Sequence, residues 1–275
     1  MLTSLIAGYG SSSFGAYRVV NGRLDSLRDT FAKQPEVARE LDYLRQKMPA
    51  VGSVEDLLED PRLMQITTTA FGLEENAFAK GFFRKLLSED SSDPASLAKR
   101  MVDPRYKEMV AFLQFDTKGA QNMKSPAWVE KLGDLYLTRS FENAAGAASP
   151  DLRDALYFQR KAPEIKSYYD ILGDRTLSEV VRRAVGLPSS MSGVDLERQV
   201  TALKGKVNLE DFKNPAKLSR MVDRFLAVAD AENMAMGGGM GTSPNAMALQ
   251  TFSSGPMTGF APILSIDPTL LLQKK

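Results

Sequence analysis

The chain has 275 residues, of which 43% are hydrophobic, and this is enough apolar material for one large packed domain or two ordinary ones. Its 35 Lys and Arg against 34 Asp and Glu leave a formal charge of +1, so there is no net field to attract nucleic acid, and we predict no nucleic-acid partner. Cys and His are both missing, which excludes disulfides, thiol catalysis, imidazole-based triads and the common zinc sites.

The sequence of residues 1–42 predicts a flexible N-terminal segment followed by helices. Gly and Ser dominate residues 1–16, and the run Ser11–Ser13 is typical of a flexible stretch. From about Tyr17 apolar residues recur every three or four positions, which indicates one helix with a buried face. Pro35 fits the first turn of a second helix.

The first ten residues contain no basic leader, and Thr3, Ser4 and Gly8 interrupt their apolar run, so we expect no Sec signal peptide. No stretch approaches the roughly eighteen apolar residues that a bilayer span requires. We therefore predict no membrane insertion, and expect synthesis in the cytosol with any export by a route other than Sec.

One stretch, Tyr43–Leu73, recurs without a gap 114 positions later as Tyr157–Leu187. Eleven of the thirty-one aligned positions are identical, and this self-similarity predicts an internal duplication. The identical pairs are Tyr43/Tyr157, Lys47/Lys161, Pro49/Pro163, Ser53/Ser167, Asp56/Asp170, Leu58/Leu172, Asp60/Asp174, Leu63/Leu177, Ala70/Ala184, Gly72/Gly186 and Leu73/Leu187.

The repeated residues are those that begin and end helices. Ser53–Asp56 and Ser167–Asp170 predict capping boxes, in which the serine and the aspartate each accept an orphan amide hydrogen. Asp60 and Asp174 predict the N-cap of the next helix. A glycine suited to a left-handed C-cap closes each copy, at Gly72 and Gly186.

Further helices follow in each copy, with N-cap and first-turn proline pairs at Asp103–Pro104 and Asn214–Pro215. We expect one helix to bury Phe78, Phe82, Phe83, Leu86 and Leu87, and its counterpart to bury Leu196, Val200 and Leu203. Ser125–Pro126 opens a connector helix, and Ser149–Pro150 opens the helix that leads into the second copy. No segment alternates apolar and polar residues as a strand does.

We therefore predict an all-α fold of two tandem helical repeats joined by a connector helix, with flexible or extended termini. The predicted boundaries are 1–42 for the N-terminal flexible segment and helices, 43–116 for the first repeat, 117–156 for the connector helices, 157–230 for the second repeat and 231–275 for a Gly/Met/Pro-rich tail.

The tail ends in an apolar, proline-extended stretch, Phe260–Leu272, that follows a glycine-rich segment. Gly237–Gly241 lacks the Lys-Ser/Thr ending of a phosphate loop, and five irregularly spaced Met residues favour a mobile tail over a metal site. An apolar end on a flexible tether is expected to dock on a partner. The partner-binding hypothesis covers Phe252, Phe260, Ile263, Leu264, Leu270, Leu271 and Leu272.

No group of residues in the sequence has the types and spacing of a catalytic or metal-binding site. The acidic set Glu55, Asp56, Glu59 and Asp60 is interpreted as helix capping, because two of its members recur and no calcium-loop spacing is present. Arg182–Arg183 faintly suggests a DNA-reading helix, but the first copy has threonines there, so a solvated face is the interpretation. We predict no catalytic residue, no cofactor and no metal.

Several short sequence segments resemble those of a bacterial domain-of-unknown-function family, number twelve-seventeen. They are Ala70-Phe-Gly-Leu-Glu, Ala79-Lys-Gly-Phe-Phe-Arg-Lys-Leu-Leu, Ser92-Asp-Pro-Ala-Ser-Leu-Ala, Asp103-Pro-Arg-Tyr-Lys, Asn214-Pro-Ala-Lys-Leu and Arg224-Phe-Leu. The resemblance covers roughly residues 41–230. Members occur mainly in alphaproteobacteria, often among flagellar genes, and the family supplies no catalytic residues.

The resemblance implies a helical, non-enzymatic protein of flagellar structure or assembly, whose partners are other flagellar proteins or further copies of itself. The expected location is the bacterial flagellum, and the alternative is the cytoplasm. The alternative function is a cytosolic flagellar export chaperone or regulatory binding module. An enzyme would have to work with carboxylates and lysines alone.

Overall fold

The computed structural model describes residues 12–235, and these residues form helices and connecting loops without any strand, which confirms the all-α prediction. Several short 3-10 helices lie between the α-helices. The α-helices are α1 (Ser13–Asn21), α2 (Leu24–Ala32), α3 (Pro35–Lys47), α4 (Val54–Glu59), α5 (Pro61–Ala70), α6 (Lys80–Ser88), α7 (Leu97–Arg100), α8 (Pro104–Leu113), α9 (Phe115–Lys118), α10 (Pro126–Gly146), α11 (Pro150–Lys161), α12 (Tyr168–Gly173), α13 (Arg175–Ala184), α14 (Leu196–Lys204) and α15 (Pro215–Ala235).

The described residues contain two hydrophobic cores. The first core runs from Leu44 to Leu132 and is built by the first predicted repeat together with the start of α10. Phe83 and Met109 are fully buried in it. The apolar face of α6 therefore packs inward, as its helical spacing predicts.

The second core joins the beginning of the described chain to the second predicted repeat. Tyr17 and Phe31, from α1 and α2, pack in the same cluster as Phe158 and Phe225, from α11 and α15. The N-terminal helices thus belong with the second half of the chain rather than with the repeat that follows them in sequence. Nothing in the apolar spacing indicates this long-range choice.

Helix α10 contributes to both cores. Its first half places Val129 and Leu132 in the first core, and its second half places Phe141 and Ala145 in the second. Tyr136, between them, packs against both. The predicted connector helix therefore exists at the expected position and is also the shared support of the two cores.

Local structure recurs at the offset of 114 positions. A 3-10 helix spans Met48–Ala50, and another spans Ala162–Glu164. Gly72 and Gly186 have φ angles of 71° and 67°, which confirms the left-handed helix ends, because only glycine adopts this conformation without strain. The internal duplication itself, and the domain boundaries drawn from it, stay predictions.

The two predicted capping boxes differ. Ser167 and Asp170 form the complete box, in which each side chain accepts a hydrogen bond from the backbone of the other. Ser53 accepts from the Asp56 amide, but the Asp56 carboxylate accepts from the Gly52 amide instead of closing the box. The box prediction is therefore confirmed in the second copy and wrong in the first.

Three helix predictions were wrong in detail. The single helix expected from Tyr17 is broken at Gly22, whose low helix propensity ends α1 before α2 begins at Leu24. Phe78 is 81% exposed, because α6 starts only at Lys80 and Phe78 lies outside its buried face. Leu196 is half-exposed because it lies at the first position of α14, at the end of the helix face that Val200 and Leu203 bury.

Candidate functional site

The two ends of the described chain meet at the carboxylate of Asp230, a largely buried residue on α15. Its Oδ1 accepts from the backbone N–H of Ser13 at 2.8 Å, and its Oδ2 accepts from the Ser12 hydroxyl at 2.9 Å and from the Phe14 N–H at 3.2 Å. A carboxylate at the N-terminal end of a helix bonds orphan amides and complements the helix dipole. Asp230 therefore fixes the start of α1 to α15.

Ser12 and Ser13 are ordered parts of this junction, so the prediction of a flexible Ser11–Ser13 run is wrong for these two residues. Ser12 is the N-cap of α1, and its Oγ accepts from the Gly15 N–H at 3.1 Å. The Ser13 Oγ lies 2.7 Å from the Ser149 Oγ, at the start of α11. A serine run is ambiguous in sequence, because the same hydroxyl suits both a linker and a helix cap.

Further polar contacts surround the junction. Arg18 forms an ion pair with Asp223 at 3.0 Å, about two turns before Asp230 on α15. The Tyr17 hydroxyl donates to Gln159 at 3.0 Å, and burial together with the nearby Asp223 charge raises the pKa of Tyr17 to about 12. These contacts attach α1 along α15 and α11.

A second polar cluster lies inside the protein where α10 meets α11. Glu142 is 3% exposed and accepts from Arg160 at 2.7 and 3.0 Å and from Arg139 at 3.2 Å. Both guanidinium groups also lie over the ring of Tyr157, at 5.1 Å for Arg139 and 5.2 Å for Arg160. A buried carboxylate between two paired arginines satisfies its charge, and removing one partner would leave the others uncompensated.

Tyr157 connects this cluster to the second predicted repeat. Its hydroxyl donates a short hydrogen bond to Asp174, which in turn accepts from the Leu177 N–H as the N-cap of α13. Burial and the Asp174 charge raise the pKa of Tyr157 well above its usual range. The phenol is therefore held neutral and serves as a hydrogen-bond donor.

A polar cleft of about 560 Å³ opens beside the cluster. Its wall carries similar numbers of arginines and carboxylates, and several of them pair with each other, such as Arg153 with Asp154 at 2.9 Å and Arg183 with Glu179 at 2.6 Å. Burial raises the pKa of Asp154, and the Arg153 charge opposes this rise. The even balance of charge gives the cleft no preference for an anion or a cation.

The predicted partner-binding residues lie outside residues 12–235, so the structure does not test whether they lie together. The same is true of Gly237–Gly241 and of all the tail methionines except Met234, which is exposed at the end of α15. The hypothesis therefore stays a prediction for Phe252, Phe260, Ile263, Leu264, Leu270, Leu271 and Leu272.

Two of the four acidic residues interpreted as helix caps accept backbone N–H groups, Asp56 at the start of α4 and Asp60 at the start of α5. Glu55 instead pairs with Arg84 at 3.4 Å. Asp60 accepts from the N–H groups of Arg62 at 3.0 Å and Leu63 at 2.9 Å, which confirms it as the N-cap of α5. The solvated-face interpretation of Arg182 and Arg183 was wrong. Both arginines are mostly buried and pair with Glu179, because one carboxylate lies within reach of both at helical spacing.

Residues 12–235 contain neither a carboxylate cluster suited to a metal ion nor a helix suited to a bilayer. No three carboxylate side chains converge there in a way that would hold a metal ion. None of the helices in that range has the length and apolarity needed to span a bilayer.

Comparisons with known proteins give a family and one solved relative. The family model described as a protein of unknown function, DUF1217, matches residues 70–218. The crystal structure of a protein from Agrobacterium tumefaciens superimposes with a TM-score of 0.74 at 34% sequence identity, covering 81% of this chain and 95% of the other. No curated protein matches the chain.

Proposed function

The chain belongs to the DUF1217 family of proteins of unknown function, and from this premise we propose that it is a non-enzymatic structural or assembly protein of the bacterial flagellum. It acts through protein–protein contacts of its helical body and of its apolar terminal segments. The flagellar part of the proposal rests on the family resemblance, whose members occur among flagellar genes. The contact part rests on the structure around Asp230.

The observation that carries the proposal is the junction of the two chain ends. Residues 1–11 lead directly into Ser12, which donates to Asp230, and residues 236–275 follow α15 five residues after Asp230. Five helical residues rise about 7.5 Å, so both segments are attached to the body within a short distance of each other. A partner that meets this end of the body can contact both segments at once.

The sequence of these segments suits contact with a protein. Residues 260–272 are predominantly apolar and carry two prolines. Residues 1–10 add further apolar side chains, including Leu2, Leu5 and Ile6. Apolar area buried against a partner contributes about 25 cal/mol per Å², so a segment of this size supplies a useful binding energy.

Deletion of residues 236–275 tests the proposal. We expect the truncated protein to keep its helical circular dichroism spectrum and its cooperative thermal unfolding, because both cores lie within residues 16–226. A strain that carries only the truncated protein should lose swimming on soft agar.

Point variants separate the junction from the rest of α15. Asp230→Ala removes the carboxylate that holds the start of α1, and we expect it to reduce swimming. Arg220→Ala, ten residues earlier on the same helix, removes an exposed side chain that bonds only the Ala216 carbonyl of its own helix, and should leave swimming unchanged. Normal swimming with the truncated protein would contradict the proposal.

A further inference from the structure

A small pocket of about 270 Å³ lies between α2, α10 and α11. Its floor is apolar and is formed by Phe141 and Leu156, which are buried in the second core, and by Leu24 at the edge. The volume equals roughly nine waters at about 30 Å³ each, which is room for a group of about eight non-hydrogen atoms. The pocket is separate from the Asp230 junction.

Two arginines and the carboxylate of Glu142 line this pocket, and the arginines differ in their partners. Arg160 is paired through two hydrogen bonds with Glu142. Arg28 forms no ion pair with any carboxylate of residues 12–235, and its one side-chain hydrogen bond goes from Nη2 to the Thr138 Oγ1 at 2.7 Å. The guanidinium of Arg28 in this pocket is therefore hydrogen-bonded only to a neutral group.

The geometry of Arg28 leaves donors directed to no protein acceptor. Its Nη1 donates to no acceptor among residues 12–235, and Nη2 uses one of its two hydrogens for Thr138, whereas Nε is enclosed by protein and is out of a ligand's reach. Thr138 holds the guanidinium in place, because its own hydroxyl hydrogen is donated to the Asp134 carbonyl at 2.7 Å and its oxygen is thus oriented toward Arg28. A carboxylate in the pocket could accept from the Nη1 and Nη2 groups together, which is one of the paired arrangements that a guanidinium offers.

We propose that this pocket binds a carboxylate carried on a short apolar group. The carboxylate takes the free N–H groups of Arg28 in the paired geometry that guanidinium and carboxylate favour, and the apolar group packs on Phe141, Leu156 and Leu24. The same chemistry has two sources, a free aliphatic acid or the carboxyl end of a peptide chain with an apolar last residue. Neither source depends on the flagellar proposal.

The test is a titration of the full chain, labelled with ¹³C at its leucine methyl groups and observed by NMR. The probes are hexanoate, the neutral hexan-1-ol of equal chain length, and the tripeptide Gly-Gly-Leu. We expect saturable shifts at Leu24 and Leu156 with hexanoate or with the tripeptide, and binding of hexan-1-ol weaker by about tenfold or more. The tighter of the two carboxylates identifies the source.

Variants assign the effect to Arg28. Arg28→Gln should weaken hexanoate binding by about tenfold or more, and Arg28→Lys by less, because it keeps the charge and loses the paired geometry. Arg18→Gln, on the neighbouring α1 and outside the pocket, should bind as the unaltered protein does. Should Arg28→Gln fail to fold, the hexanoate and hexan-1-ol comparison on the unaltered chain still decides. Equal binding of hexanoate and hexan-1-ol, or no saturable shift with either carboxylate, overturns the proposal.

Discussion

The chain contains two tyrosine–aspartate pairs, 114 positions apart, that make the same hydrogen bond in different surroundings. In the first, the half-buried Tyr43 donates to Asp60 at 2.7 Å, and the Arg62 guanidinium lies 4.0 Å from the ring centroid. In the second, Tyr157 and Asp174 are 5% and 4% exposed. Each aspartate also caps a helix, so the local role is the same.

The surroundings of each tyrosine–aspartate pair determine how much it contributes to the stability of the fold. Arg62 beside Tyr43 pairs with Glu40 at a partly solvated surface, where ion pairs contribute little. Tyr157 lies under two arginines that share the buried Glu142. The comparison teaches that the same two residue types at the same spacing make the same hydrogen bond, whereas its contribution to stability depends on what the rest of the chain packs around it. The following predictions test this difference.

Glu142→Gln should have the largest effect, because it leaves Arg139 and Arg160 without their buried carboxylate. We expect a loss of about 3 kcal/mol in the free energy of unfolding, measured by urea denaturation. The control is Glu130→Gln, which breaks an exposed ion pair with Arg45 and should cost less than about 1 kcal/mol. Equal losses for the two variants would contradict the account.

Tyr157→Phe should cost about 2 kcal/mol, because the buried Asp174 Oδ2 loses the phenol donor while the ring under the arginines remains. Tyr43→Phe removes the same bond where water can replace it, so we expect a smaller loss than for Tyr157→Phe. Urea denaturation of both variants and of the double variant measures the difference. A larger loss for Tyr43→Phe would refute it.

Gly72→Ala and Gly186→Ala compare the two left-handed helix ends. Both should be destabilising by about 1–2 kcal/mol, because a Cβ is unfavourable at these positive φ angles. Gly72→Ala should cost more, since its Cβ would lie 3.0 Å from the Arg139 Nε, whereas nothing lies within 4 Å at Gly186. Thermal unfolding in a single buffer shows which variant is less stable. A greater loss for Gly186→Ala would contradict the prediction.

The smallest predicted effect is the pH dependence of stability above pH 10. The unfolded phenol loses its proton near pH 10, whereas burial raises the pKa of Tyr157 and keeps it protonated in the folded protein, so stability falls as the pH rises. Removing this phenol should reduce the fall between pH 10 and 11 by about 1 kcal/mol.

Tyr43 serves as the matched site for this titration. Its pKa is raised chiefly by the hydrogen bond to Asp60, so Tyr43→Phe should change the slope in the same direction but by less. Unfolding free energies at pH 9, 10, 10.5 and 11 give both slopes. An unchanged slope in Tyr157→Phe would show that the phenol is not held neutral by the fold.

The sequence predicted those features whose physical cause is local. Asp60, Asp174, Gly72 and Gly186 act within a few residues of themselves, so spacing and residue type were sufficient. The contacts at Asp230 join residues more than 200 positions apart, and no periodicity indicates which helix a buried carboxylate will meet.

The composition of the second core could not be predicted from the sequence for the same reason. The apolar spacing of α1 and α2 shows which side is buried and leaves open which half of the chain will cover it. Glu142 is similar, because an acidic residue within an amphipathic helix is ordinarily exposed, and only its two arginine partners make burial acceptable.

Fractionation of the flagellum tests the central claim most directly. Flagella and their basal structures are sheared and purified from cells that carry either the full chain or the chain without residues 236–275, and each fraction is probed with an antibody against residues 12–235. The account predicts the full chain in the purified structures and the truncated chain outside them. Finding the full chain in the cytosol alone, bound to an export substrate, would contradict it and favour an export chaperone instead.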